Sequence, residues 1–324
     1  MPETSKPRIV VAEKFNESAM SRLAAAGDVV LLDRPDEDRL VAEVTIADAL
    51  AVRTYVHVTA HVIEAARQAG RLKVIGRGGV GVDNIDVAAA VAAGITVVNT
   101  PAACTQAVAD LVVGLIVAVQ RRTVEFDPRV RRGEFASLRS EAPQAIELGH
   151  QTLGVIGMGR IGRAVGTRLH LGFGTRVIYY DIREVGYLPF AAESQPDAEA
   201  VYANADVVTL HVPLTPLTRG MIDERALTHF KPTAILVNTS RGPVVQAVPL
   251  ARALKEGRLA GAAIDVFDPE PPPPDHPLFS APNCVLTPHV ASRTQEGLAA
   301  MNDVVDDIIA VLQGREPMYP VECQ

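Results

Sequence analysis

Short aliphatic runs alternate with helical spacings along almost the whole chain. In the first hundred residues the runs are Ile9–Ala12, Val29–Leu32, Ala49–Val52, Leu72–Ile75 and Thr96–Val98. They are continuous rather than alternating, as expected for strands covered on both faces. Between them apolar residues recur at three- and four-residue intervals: Phe15, Ala19, Leu23 and Ala24, then Val58, Val62, Ile63 and Ala66. Strand and helix in turn predict βαβ units and a parallel sheet. A long helical pattern follows from Thr105 to Arg122, apolar nearly all round through Leu111, Val112, Leu115, Ile116 and Val119. Such a helix is expected to be buried between domains or between subunits. The alternation then restarts at Leu153–Ile156, Arg176–Tyr180, Val207–Leu210, Ala234–Val237, Ala262–Ile264 and Val285–Leu286. An amphipathic helix on Leu298, Met301, Val305, Ile308 and Leu312 closes the chain, and Pro271–Pro274 predicts a stiff extended loop. Two alternations predict two α/β domains joined near residues 101–105.

Composition agrees with that division. A chain of 324 residues has room for two domains, and 48% apolar with 21% charged residues is a globular profile that excludes disorder. The net charge of −7 repels phosphate backbones and anionic lipid, so neither nucleic acid nor membrane is an expected partner. Cys104, Cys284 and Cys323 form neither a disulfide framework nor a metal-spaced pair, which predicts a reducing compartment and no metal. The start, Met1–Pro7, is polar, and Ile9–Ala12 is too short for a signal peptide. The most apolar stretch, Val108–Val119, contains Asp110 and is shorter than a membrane span. A cytoplasmic protein is expected.

The second alternation opens with specific chemistry. Leu153–Ile156 runs into Gly157-Met-Gly159-Arg160-Ile161-Gly162, a strand followed by G-x-G-x-x-G. In such a loop the first glycine makes the turn, the second admits a pyrophosphate and the third lets helix and strand pack closely. The next helix carries Ile161, Ala164, Val165 and Leu169 on one face, and its free N–H groups suit an anion. The strand Arg176–Tyr180 then ends on Asp181, 19 residues after Gly162, where a dinucleotide site needs an acid for the adenine ribose. Asp181 repels a 2′-phosphate and predicts NAD rather than NADP, with Arg183 the one opposing residue.

Ligands of open parallel sheets bind outside the carboxyl ends of strands. The later runs end on polar groups: His211, Asn238-Thr239-Ser240-Arg241, Asp265, and Thr287-Pro288-His289. One alone would read as a cap or a turn, whereas four beside a glycine loop predict a lined cleft. Within it Arg241, Glu270 and His289 offer a cation, a carboxylate and an acid–base group. Hydride transfer to a ketone needs a proton at the developing alkoxide, which imidazole supplies. A neighbouring carboxylate orients the ring and favours its charged form. Arginine presents a donor fork to a substrate carboxylate.

These segments resemble the D-isomer-specific 2-hydroxyacid dehydrogenases over residues 9–320. The carrying motifs are Gly76-Arg-Gly-Gly-Val-Gly-Val-Asp-Asn-Ile-Asp86, Gly157–Gly162, His211-Val-Pro-Leu-Thr215, Asn238-Thr-Ser-Arg-Gly242, Asp265-Val-Phe-Asp-Pro-Glu-Pro271 and Thr287-Pro-His289. The resemblance implies an α/β fold of two doubly wound parallel-sheet domains. One would be a flavodoxin-like substrate domain of residues 1–101 and 294–324, the other a Rossmann NAD-binding domain of residues 102–293. It implies Arg241, Glu270 and His289 as the catalytic set. For the cofactor it implies Gly157, Gly159, Arg160, Ile161, Gly162, Asp181, His211, Val212, Pro213, Thr218, Thr239, Ser240, Arg241, Asp265, His289, Ala291 and Ser292. It also implies a homodimer built on the long apolar helix.

Within the family, Val52-Arg53-Thr54 and Gly76-Arg77-Gly78-Gly79-Val80-Gly81 are most similar to 3-phosphoglycerate dehydrogenases. The amides around Gly79 and Val80 are expected to hold the substrate carboxylate, together with Gly78, Arg241 and His289. Arg53 and Arg77 are left for a second anion; the bland reading of each is a solvated surface arginine. The chain departs from the pattern at His57, where phosphoglycerate-type members often have lysine, and at Ala102, Cys104, Pro243 and Gln246. It ends 35 residues past His289, which predicts no appended regulatory domain. His61, His150, His170 and His276 are expected in surface or capping roles. The expected function is NAD-dependent interconversion of a 2-hydroxy and a 2-keto acid bearing a second anionic group. The alternatives are a glyoxylate or hydroxypyruvate reductase and a dinucleotide-sensing, corepressor-like interaction protein.

Overall fold

The structure, a computed structural model, describes residues 6–142 and 145–322; Cys323 and most of the polar start lie outside the described residues. The chain forms two compact units, Met1–Cys104 with Arg293–Gln324, and Thr105–Ser292. The first crossing falls three residues later than the pattern places it, and the return one residue earlier.

The first unit runs β1 (Arg8–Val11), α1 (Glu17–Ala26), β2 (Asp28–Leu31), α2 (Glu37–Val44), β3 (Ala49–Val52), α3 (Ala60–Ala69), β4 (Val74–Arg77), α4 (Val87–Ala92) and β5 (Thr96–Asn99). The second runs α5 (Thr105–Gln120), α6 (Thr123–Arg131), α7 (Phe135–Glu141), β6 (Thr152–Ile156), α8 (Arg160–Phe173), β7 (Arg176–Tyr180), β8 (Glu193–Ser194), α9 (Ala198–Asn204), β9 (Val207–Leu210), α10 (Glu224–Leu227), β10 (Ile235–Asn238), α11 (Ala247–Lys255), β11 (Gly261–Ile264) and β12 (Cys284–Leu286). Helices α12 (Gln295–Met301) and α13 (Val304–Leu312) return to the first unit.

The first sheet has the order β2-β1-β3-β4-β5, all parallel. The inner strands β1, β3 and β4 are apolar over most of their length because alternate residues feed two cores. Val10, Leu50, Val52, Ile75 and Val97 meet side chains of α2, α3 and α4. Ile9, Val11, Ala49, Ala51, Val74 and Val98 meet α1 and α13 through Ala19, Leu23, Val304, Val305 and Ile308. This is the flavodoxin-like order, which reverses direction between β1 and β3. The second sheet, β12-β11-β10-β9-β6-β7-β8, is also parallel and reverses between β6 and β9. Carboxyl ends flanking such a reversal leave a crevice for a ligand.

The long apolar helix packs within the second unit on one side. Within the second unit α5 packs on α8 and on β10, β11 and β12, burying Val108, Val112, Leu115, Ile116 and Val119. Leu111 is only half-buried and Val117 is 36% exposed, so the buried stripe accounts for one side of the helix. The closing helix is two helices, parted at Asn302, whose side-chain oxygen accepts the Asn16 N–H at 2.8 Å. Helices α6 and α7 were not legible: of their residues Leu138 alone is buried, so no apolar periodicity marks them. Among the described residues no helix is long and apolar enough to cross a membrane.

Candidate active site

The glycine loop has one geometry per glycine. Gly157 sits at φ 92°, and a Cβ there would lie 2.5 Å from the His211 carbonyl. A Cβ on Gly162 would meet the Gly157 carbonyl at 2.2 Å, whereas at Gly159 it would meet nothing within 4 Å. Gly159 also caps α8 with no side-chain hydrogen bond, unlike Asn16 on α1 or Asp36 on α2. The first-turn amides of Arg160, Ile161 and Gly162 therefore face open space, and a pyrophosphate fits there. Asp181 follows β7; its carboxylate accepts the Met158 N–H at 2.8 Å and the Arg183 N–H at 2.9 Å, which ties it to the loop.

His211 donates its N–H to Ile156 at 2.8 Å, and its Nε2 lies 3.0 Å from the Thr209 hydroxyl. Desolvation pushes its imidazole down to about 3, so it is neutral at physiological pH. Val212 and Pro213 continue the turn, which Thr218 closes by donating to the Pro213 carbonyl at 2.6 Å. The Thr239 hydroxyl is buried with no partner among the described residues. A buried donor left unsatisfied by the protein fits a bound cofactor.

Asn238, at the end of β10, is fully buried and organises the next turn. Its Oδ1 accepts the Ser240 N–H and hydroxyl at 3.0 and 2.7 Å, and its Nδ2 donates to the Arg241 carbonyl at 3.0 Å. Arg241 donates through Nη1 to the Ser240 carbonyl at 2.8 Å. Asp265, after β11, is 0% exposed and plays the same part for the loop beyond β12. It accepts the Thr287 hydroxyl at 2.6 Å and the amides of Val290 and Ala291 at 2.9 and 3.0 Å, while its carbonyl accepts the His289 N–H at 2.8 Å. His289 is thereby held at φ 52°, a left-handed conformation uncommon for this residue type. Ser292 follows, half-buried.

Glu270 and His289 meet. Oε2 of Glu270 lies 2.9 Å from His289 Nδ1, and Oε1 accepts the Phe267 N–H at 2.9 Å. Partial burial works to raise the Glu270 carboxyl. Hydrogen bonds from His289 and Phe267, with the charges of His289 and Arg241, outweigh it and hold the group below its ordinary value. An ionised carboxylate accepts, so Nδ1 carries a proton and Nε2 is left for proton transfer.

In the first unit sequence reasoning missed Glu13, which follows β1 and is 5% exposed. Its carboxylate accepts the N–H groups of Arg53, Thr54, Tyr55 and Val56 at 3.0–3.2 Å, fixing the turn that presents Arg53. The signal was available: Glu13 is the polar residue that ends Ile9–Ala12. The Arg53 guanidinium lies 5.6 Å above the Phe15 ring and hydrogen-bonds to no described residue, while its backbone N–H donates to Glu13 and its carbonyl accepts from Asn84. Desolvation lowers its pKa. Arg77 ends β4 rather than lying past it, is 9% exposed, and donates to the Gly78 carbonyl at 3.3 Å. Its guanidinium covers Gly79, where a Cβ would fall 1.4 Å from Nη1. Gly78 donates to Val52 at 3.0 Å, whereas the N–H groups of Gly79 and Val80 donate to no described residue. His57 is exposed. His276 takes an N-cap position on the short turn Pro277–Ser280, though its side chain does not cap it; it is not on the surface but 5% exposed, because Leu278, 3% exposed, draws the turn into the core. His61 and His150 are exposed, and His170 bonds the Thr175 carbonyl at 3.0 Å.

The family profile described as "D-isomer specific 2-hydroxyacid dehydrogenase, NAD binding domain" matches residues 113–291. The chain is 39% identical over 323 residues to a glyoxylate reductase of Thermofilum pendens, covering 97% of this chain and 94% of that one. It is 40% identical over 314 residues to a D-3-phosphoglycerate dehydrogenase of Methanocaldococcus jannaschii, covering 95% of this chain and 58% of that longer one. Among solved structures it is similar to an NADPH-dependent glyoxylate/hydroxypyruvate reductase from Sinorhizobium meliloti in complex with NADP and malonate. That likeness has a TM-score of 0.86 at 32% identity over 98% of this chain and 97% of the other.

Proposed function

Because the chain belongs to the D-isomer-specific 2-hydroxyacid dehydrogenases, NAD-dependent oxidoreductases of 2-hydroxy and 2-keto acids, we propose that its own substrate carries a second anionic group. NAD(H), held by the glycine loop and Asp181, would supply the hydride at the substrate's C2. In the direction of reduction His289 Nε2 gives the proton to the carbonyl oxygen. Glu270 holds the imidazole by Nδ1 and stabilises its charged form. Arg241 draws the substrate carboxylate and carbonyl to its donor fork. Asp181 and the amides of the glycine loop hold the two ends of the dinucleotide's ribose–pyrophosphate stretch.

The observation that carries the second anion is Arg53. It stands just past β3, beside the strand-order reversal of the first sheet; its guanidinium hydrogen-bonds to no described residue and is partly desolvated, with the charge of Glu13 acting against that desolvation. The unclaimed amides of Gly79 and Val80 would take the reacting carboxylate, leaving Arg53 and Arg77 for a distal phosphate, phosphonate or carboxylate. The test is a steady-state panel of 2-keto acids with NADH. Losing a charge-assisted contact costs about 1.5–3 kcal/mol, so Arg53→Ala should lower kcat/KM about 10- to 150-fold on substrates with a distal anion and spare glyoxylate. Equal losses on both kinds would sink the proposal.

A second reading is a glyoxylate or hydroxypyruvate reductase. It is favoured by the burial of Arg77 against Gly78 and Gly79 and by the near full-length match to the Thermofilum glyoxylate reductase. Under it, small keto acids give the highest kcat/KM in the same panel and Arg53→Ala changes little.

A further inference from the structure

We infer that His276 is a positioning residue for the proton relay, acting through Phe267; this rests on the assignment of Glu270 and His289 above. The Phe267 peptide is shared by the turns that carry the catalytic side chains. Its N–H donates to Glu270 Oε1 at 2.9 Å, and Glu270 in turn meets His289. Its carbonyl presses on Gly242, the neighbour of Arg241. A Cβ on Gly242 would come within 1.9 Å of that oxygen and 2.8 Å of the Asp268 nitrogen. A shift of this peptide therefore moves Glu270 directly and disturbs the seat of Arg241.

Phe267 packs against the edge of the second unit's core, but that packing leaves space beside it. A cavity of about 230 Å³ lies there, lined by Gly242, Val245, Phe267, Asp268, His276 and Leu278 among others. Phe267 is itself only half-buried. Ring contacts supplement the core on this side. His276 meets the Phe267 ring edge-on, centroids 5.4 Å apart at 83°. Phe279 meets both, at 6.3 Å from Phe267 and 5.4 Å from His276. His276 is the buried member of this trio, and Phe279 is 48% exposed. Desolvation lowers the His276 pKa, so the ring packs uncharged. Its Nδ1 is buried with no partner among the described residues. The contact to Phe267 is thus one of shape, and a phenyl ring can make it too.

The test is the pH–rate profile of 2-keto acid reduction, compared across wild type, Glu270→Gln, His276→Ala and His276→Phe. His276→Ala removes the ring and lets the peptide settle toward the cavity, loosening the Glu270–His289 contact. It is expected to lower kcat by up to about 100-fold, the effect of an ångström-scale misplacement. It should also move the profile toward lower pH, as Glu270→Gln does, with NADH affinity unchanged. His276→Phe should restore both kcat and profile. If Glu270→Gln moves the profile and His276→Ala does not, this inference falls while the relay stands. If Glu270→Gln itself leaves the profile in place, the relay assignment falls and takes this inference with it. Equal losses in the alanine and phenylalanine variants would show that the imidazole, not the ring contact, matters. Should His276→Ala fail to fold, Phe279→Ala reads the same cluster, and an unmoved profile there would overturn the inference.

Discussion

His289 sits in a left-handed backbone conformation, uncommon for a residue other than glycine, in a loop that the buried Asp265 carboxylate holds through Val290 and Ala291. Its Nδ1 is taken by Glu270, which sets the tautomer. His289→Gln should therefore cut kcat by about 10²–10⁴-fold, the contribution of a positioned acid, while calorimetry shows NADH binding intact. Glu270→Gln removes the negative charge that favours protonated imidazole. The acid form then persists only at lower pH, so the reduction profile moves that way. An unmoved profile would place Glu270 outside the relay. Asp181 sits beside the loop with both oxygens occupied by amides, fixed where a 2′-phosphate would meet it. Asp181→Ala should narrow the preference for NADH over NADPH, measured as the ratio of kcat/KM values. A wild-type preference for NADPH would mean that Arg183 dominates.

The β6–α8 unit tests the glycine geometry as an element. Gly162→Ala forces a Cβ to 2.2 Å from the Gly157 carbonyl, a backbone oxygen with no side-chain freedom to yield. It should cost about 1–3 kcal/mol of stability, read as a lower urea midpoint. Gly159→Ala meets open space, so its stability should stay within about 0.5 kcal/mol of wild type while NADH affinity falls. If both variants are equally stable, helix–strand closeness is not what Gly162 provides. Elements were legible where burial was two-sided. The first unit's strands and the β6–β7 pair appear within two residues of the sequence runs; for the buried strands β1, β3 and β4 this is because cores on both faces force aliphatic continuity. Helices α6 and α7 lack that constraint and were invisible.

At the scale of the molecule, both sheets place their polar strand ends beside a reversal of strand order: Glu13 and Arg53 in one unit, the glycine loop and His211 in the other. His211 also ties the site to acid stability. Its folded pKa of about 3 lies below the unfolded value of about 6.5, so the unfolded chain binds the extra proton between those limits. Its contribution is complete above pH 6.5 and is lost as the pH falls toward 3. The lowered Glu270 carboxyl acts in the same direction, at pH below the ordinary carboxylate range. Urea midpoints of the apoprotein should thus fall on acidification from pH 6.5 to 4, and less steeply in His211→Asn. Parallel slopes would show that His211 titrates normally in the fold.

The order of residues alone determined the α/β class, the two alternations and the glycine loop with its terminal acid, and it singled out Arg241, Glu270 and His289 as candidates. These follow from local physics: two-sided burial dictates apolar runs, and a pyrophosphate turn demands glycine at fixed spacing. Tertiary structure decided what depends on partners distant in sequence. Glu13 reaches 40 residues ahead to hold the Arg53 turn, and Asp265 reaches 22 to 26 residues ahead to hold the loop of His289. Asn302 breaks the last helix by bonding across 286 residues. His276, polar and between prolines, reads as surface until Leu278 enters the core and carries it under Phe267. For Glu13, Asp265 and Asn302 the deciding interaction joins groups that no short sequence window contains.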